Sequence, residues 1–136
     1  MFLFDTNALS EIVKPRGVAA VVKGILDTPA SQRFASELTR YELRSGAAAS
    51  PDEKRMWRRI ARDVIPLVHW LDVTESISQA AGDVAADLRR IGQPCGTIDP
   101  LLAGTALSHG LILVTRNVRH FEPIDELAVE NWFNDA

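Results

Sequence analysis

The feature that most constrains this chain is an alternation. Short apolar runs, each closed by a polar residue, are separated by longer segments whose apolar residues recur every three or four positions. Met1–Phe4 is apolar and is stopped by Asp5, which predicts a buried strand. Arg33–Ser36, Val68–Val73, Leu111–Val114 and Ala128–Trp132 read as further strands. Between the first two, Val18, Val21, Val22, Ile25 and Leu26 keep helical spacing ahead of Pro29. A helix starts near Thr39, with cap-like chemistry over Ser36–Arg40. Pro51 and Asp52 open another, with Trp57, Ile60, Ala61 and Val64 on one face and Pro66 at its end. Thr74 or Ser76 caps the clearest helix; its stripe is Ile77, Ala80, Ala81, Val84, Leu88 and Ile91, and Gly92 closes it. The alanines on that stripe predict close packing on a sheet. After a loop at Gln93–Thr97, Asp99-Pro100 starts a helix that is apolar nearly all round, which predicts burial, and His109-Gly110 stops it. Thr115–Phe121 reads as a loop.

Strands that alternate with helices in this way predict an α/β domain, its mostly parallel sheet covered by helices on both faces. Functional groups in such sheets gather at the carboxyl ends of the strands. Asp5 and Thr115–Asn117 directly follow predicted strands and are therefore candidates for one shared site.

The 136 residues suit one domain spanning 1–136, large enough to bury a core without a disulfide or structural metal. Cys95 is the only cysteine, so no intramolecular disulfide forms, and a reducing, cytoplasmic compartment is the simple expectation. No apolar run approaches membrane-spanning length. The net charge of −3 neither predicts nor excludes nucleic-acid binding; any basic patch has to be local. Arg55, Arg58, Arg59 and Arg62 make such a face opposite Trp57 and Ile60, of the kind that is usually just solvated. Trp57, Trp70 and Trp132 read as core residues. His69, His109 and His120 lack zinc-site spacing; His120 lies in the late loop, where a substrate contact is one reading and a structural role the simpler one. A P-loop is absent. Asn7 stands where an aspartyl phosphatase needs its second acid. Thr115-Arg116 stands where a phosphoreceiver domain needs lysine.

Taken singly, the acids have ordinary explanations. Asp5 can cap a helix beginning near Ala8, Asp99 before a proline is a helix start, and Glu42 between Arg40 and Arg44 can be a solvated surface residue. Their ordered occurrence is more specific. The pieces are Phe4-Asp5-Thr6-Asn7, Tyr41-Glu42-Leu43-Arg44-Ser45-Gly46, Asp99-Pro100-Leu101-Leu102-Ala103-Gly104-Thr105-Ala106 and Leu113-Val114-Thr115-Arg116-Asn117-Val118-Arg119-His120-Phe121, with Asn131-Trp132 near the end. With these pieces, over essentially its whole length, the chain resembles the PIN-domain family and in particular its VapC-type ribonuclease toxins.

The resemblance implies a three-layer PIN-like fold and a pocket of acids that holds Mg²⁺, with Mn²⁺ as a substitute. Asp5 and Asp99 would be direct ligands, and Glu42 would complete the pocket directly or through water. The physics agrees. Two carboxylates about 5 Å apart repel by roughly 3 kcal/mol at an effective dielectric near 20, a cost that a cation offsets. Mg²⁺ is hard, takes oxygen ligands and keeps several waters. Asn117 stands where members of the family often have a fourth acid; it can donate an oxygen but no charge. Thr6, Asn7 and Thr115 are candidates to orient the acids, or are ordinary turn residues. Arg40, Arg44, Arg116 and Arg119 are candidates to grip phosphates, or simply balance charge. The resemblance further implies an endoribonuclease acting on structured RNA such as tRNA, a homodimer, and neutralisation by a small VapB-like antitoxin that reaches operator DNA on the toxin's behalf. Two alternatives stand beside it: a catalytically weak co-repressor acting with its antitoxin, and a structure-specific DNA nuclease.

Overall fold

The computed structural model describes residues 1–133. Its centre is a five-stranded, wholly parallel sheet in the order β3-β2-β1-β4-β5, formed by β1 (Phe2–Phe4), β2 (Arg33–Ser36), β3 (His69–Leu71), β4 (Ile112–Val114) and β5 (Val129–Glu130). The helices are α1 (Thr6–Ser10), α2 (Ala19–Asp27), α3 (Glu37–Ala48), α4 (Glu53–Asp63), α5 (Glu75–Arg90), α6 (Ile98–His109) and α7 (Val118–Phe121). The chain steps outward from β1 to β3, then returns to lay β4 on the other side of β1. That reversal is the topological switch point of the sheet, where parallel α/β folds open a crevice.

Alternation along the strands supplies a core on each face. Phe4, Ala35 and Val114 pack with Leu9 of α1, Val21 and Ile25 of α2, Leu43 of α3 and Ile60 of α4. Leu3 and Leu113 point the other way, onto Val84 and Leu88 of α5, Ala103 and Ala106 of α6 and Phe121 of α7. Helices therefore cover both faces, giving three layers.

Several predicted boundaries move. Helix α3 begins at Glu37, ahead of Thr39, because the Ser36 hydroxyl caps it by accepting from the Leu38 N–H at 3.1 Å. Val68–Val73 and Ala128–Trp132 shorten to the residues that find a paired neighbour. Thr115–Phe121 is not all loop, since its last four residues form α7. Ala61 and Ile91 are exposed: α4 turns Met56, Trp57, Ile60 and Val64 inward, and Ile91 lies just past the end of α5. Ala81 of α5 serves α6, while Val84 and Leu88 of the same helix reach the sheet residues Leu3 and Leu113. A Cβ on Gly104 would stand 3.0 Å from the Ala81 nitrogen and 3.0 Å from the Ile77 carbonyl oxygen, so the two helices cross nearly backbone to backbone. All three tryptophans are partly buried against the first core.

Candidate active site

Asp5 ends β1 at the switch point and caps α1, its Oδ1 accepting from the Ala8 N–H at 3.0 Å. Capping therefore does occur, but it occupies one oxygen only. The side chain is 6% exposed. Burial pushes its pKa from 3.8 up to about 6, hydrogen bonds from Thr115 and Ala8 pull it down, and the charges of Asp99 and Glu42 raise it further. The chain's three candidate acids are thus electrostatically coupled, although they come from β1, α3 and α6.

Each acid is held by a different neighbour. Glu42 on α3 accepts from the Thr6 hydroxyl at 2.6 Å, tying α3 to the start of α1. Asp99 is not the cap of α6. Thr97 occupies that position, and Asp99 lies within the first turn, so its carboxylate is free to reach outward. It meets the His120 ring, with Oδ2 and Nδ1 2.8 Å apart. Thr115 follows β4 and is fully buried; its hydroxyl touches Asp5 and also accepts from the Asn117 N–H at 3.1 Å. Asn117 begins α7 with an exposed side chain and shares a depression of about 410 Å³ with Arg116, Arg119 and His120. Arg119 and His120 also line a second depression of about 340 Å³, together with Cys95 and Gly96. Burial first, and then the Asp99 charge, hold the Cys95 thiol above its ordinary pKa, which opposes a thiolate nucleophile.

The remaining arginines are less available than their sequence positions imply. Arg40 makes a two-point pair with Glu37 and lies 4.3 Å over the Trp70 ring. Arg44 pairs with Glu53 at 2.6 Å and lies 5.1 Å from the Trp57 ring centre. Arg116 stacks 4.7 Å over Phe133, and its charge is felt by buried Glu11. Asn7 is exposed beside Thr6. A depression of about 570 Å³, lined by α5 and by Pro123, Ile124 and Asp125 with Leu107 of α6, contains none of these residues.

Among the described residues, no three Asp, Glu, His or Cys side chains converge tightly enough to enclose a metal ion. The donor chemistry nevertheless suits a hard divalent cation: three coupled carboxylates supply only oxygen, and Asp5 is pushed toward its protonated form by burial and by the other two. Mg²⁺ is commonly held by one or two carboxylates with its remaining positions filled by water or phosphate, so an open arrangement of this kind is adequate.

The PIN-domain model matches residues 2–127. The chain belongs to the PIN-domain family. The tRNA(fMet)-specific endonuclease VapC of Shigella flexneri is 31% identical to this PIN-domain chain over 131 residues, covering 96% of this chain and 97% of its own length. A chain of the DNA-bound VapBC structure from Salmonella typhimurium superposes with a TM-score of 0.83 at 31% identity, covering 96% of this chain and 97% of its own. A chain of the FitAcB structure from Neisseria gonorrhoeae reaches a TM-score of 0.90 at 26% identity, covering 99% and 100% respectively. Among the described residues, no helix is long and apolar enough to cross a membrane.

From sequence, His120 stands between a substrate contact and a structural role; what the sequence does not reveal is its partner, because only the tertiary structure sets the ring on Asp99.

Proposed function

We propose that this PIN-domain protein is a metal-dependent endoribonuclease, the toxin of a VapBC-like pair, acting on structured RNA such as tRNA. The observation that carries the reading is the coupled acid trio at the switch point, in a chain whose near-full-length relatives are VapC ribonucleases. Asp5 and Asp99 would hold the cation, Mg²⁺ or Mn²⁺, with Glu42 on the Thr6 side of the same pocket. When bound, the cation supplies a Lewis acid that neutralises charge developing on the phosphate and makes a nucleophile of water near neutral pH.

The protein's own groups do the rest. Thr115 fixes the buried Asp5 carboxylate, Thr6 fixes Glu42, and His120 engages one oxygen of Asp99. Asn117 offers a neutral amide beside Arg116 and Arg119, where a phosphate neighbouring the scissile bond can be received. Asn7, exposed beside Thr6, would be a further polar contact. The proposed partner is a small VapB-like antitoxin that covers the pocket and carries the complex to operator DNA, a reading supported by the likeness to the DNA-bound VapBC structure; a homodimer is proposed with it.

The test is cleavage of total cellular RNA by antitoxin-free protein, with Mg²⁺, with Mn²⁺ and with a chelator, beside Asp99→Ala. Discrete cleavage that needs the cation and disappears in the variant is expected. Cutting that survives both the chelator and the substitution would overturn the assignment. No cutting under any condition would favour a binding-only co-repressor.

A further inference from the structure

The exposed face of α4 carries charge that the acid pocket does not use. Lys54, Arg55, Arg58, Arg59 and Arg62 place five of the chain's fifteen basic residues on one eleven-residue helix, in a protein of net charge −3. At 3.6 residues per turn they fall within about 140° of the helix circumference. Trp57, Ile60 and Val64 occupy the opposite, inward side. The two acids of α4 neutralise only one cation of the arc, Arg62. Glu53 is taken by Arg44 from α3, and Asp63 is taken by Arg62. Lys54, Arg55 and Arg58 are exposed and have no acidic partner among the described residues. An arc of like charge costs helix stability through self-repulsion, so it is not explained by the fold.

Position gives the arc a use. Helix α4 packs on α3, which carries Glu42, and on the turn Glu11–Val13 that follows α1. Arg40 and Arg44, the basic residues nearest Glu42 in sequence, are already neutralised by Glu37 and Glu53. Without its cation the acid pocket repels phosphate. A polyanion that enters it is therefore held by cations outside it: Arg119 beside Asn117, and on α4 Lys54, Arg55 and Arg58, of which Arg58 stands one helical turn, about 5–6 Å between Cβ atoms, from each of the other two.

We infer that the exposed face of α4 is a phosphate-backbone grip that holds an RNA strand alongside the acid pocket. The inference rests on the nuclease reading for its choice of polyanion. Recognition is by charge and carries no sequence information, so α4 sets affinity and leaves selection of the scissile bond to the pocket.

The experiment measures binding of unfractionated tRNA to antitoxin-free protein in chelator, by fluorescence anisotropy across a salt series. The parent is compared with the triple variant Lys54→Ala/Arg55→Ala/Arg58→Ala and with Arg55→Lys/Arg58→Lys. Loss of three phosphate contacts lowers the slope of log K against log salt by about 2 and weakens binding by about 100-fold at 0.1 M salt. The lysine variant, which keeps the charges, stays near the parent. Circular dichroism confirms that the triple variant is folded. A folded triple variant with the parent's affinity and slope overturns the inference, as does a loss of antitoxin affinity while RNA affinity is unchanged. Cleavage in Mg²⁺ is scored separately. A parent that cuts RNA while the triple variant still binds it normally leaves the nuclease standing and removes α4 from it. A parent that cuts nothing but loses RNA binding with the arc removes the nuclease and keeps the grip.

Discussion

Replacing Asp5 by asparagine stabilises the metal-free protein in neutral and alkaline solution and has little effect in acid. Burial, reinforced by Asp99 and Glu42, lifts the Asp5 pKa from 3.8 to about 6. A folded-state pKa above the unfolded one means that folding favours the protonated carboxyl. That contribution is complete below about pH 4 and is lost as pH rises through about 6. Beyond that window the fold carries a buried, repelled carboxylate, at a cost of about 3 kcal/mol. The asparagine of the variant is uncharged, and its amide oxygen can still accept the Ala8 N–H, so the cap survives. For a chain of this length the gain is a rise in Tm of about 10 °C. The assay is thermal unfolding followed by circular dichroism, in chelator, from pH 4 to 8.5. Parent and variant should coincide at the acid end and separate across the window, and added Mg²⁺ should raise the Tm of the parent more than that of the variant. Equal melting temperatures at pH 8.5, or a gap that does not change with pH, would refute the reasoning.

Other expectations follow from single contacts. Thr6→Val keeps the shape of the side chain but removes the hydroxyl that holds Glu42; the affinity for Mg²⁺, read as a calorimetric titration, should fall by about 10-fold or more, and a parental isotherm would leave Thr6 a purely structural residue. Gly17→Ala puts a Cβ 2.2 Å from the Glu11 carbonyl oxygen, an overlap that backbone alone must relieve. A loss of about 2 kcal/mol or more is expected in urea unfolding. Thr74→Ala deletes the hydroxyl that accepts from the Ile77 N–H at the start of α5, and should cost about 1 kcal/mol in the same measurement without changing RNA cleavage.

Much of the architecture was legible because it is locally encoded. Three apolar residues stopped by Asp5 make β1, Arg33–Ser36 forms β2 over the same residues read from sequence, and Gly110, at φ 63°, ends α6 where a left-handed residue is needed. Such preferences depend on a few neighbouring residues. Where packing intervenes, spacing misleads: Ala61 has apolar spacing but is exposed, and Ala81 of α5 meets Gly104 of α6. The basic arc of α4 was also visible as spacing, but nothing in the sequence says that Glu53 and Asp63 are already taken.

Local sequence was enough to place the five strands and the longer helices and the oxygens at their ends, though not the short helix α7. Only the tertiary structure decided that β4 lies beside β1, so that Asp5 and Thr115 meet and the charges of Glu42 and Asp99 act on one buried carboxylate. It also decided that Asp99 faces His120 and that Arg40 and Arg44 are spent on Glu37 and Glu53. The physical reason is range. Helix and strand preferences are set within a few residues, whereas a charge responds to distance and to the loss of water around it, and both are set by parts of the chain that are remote in sequence.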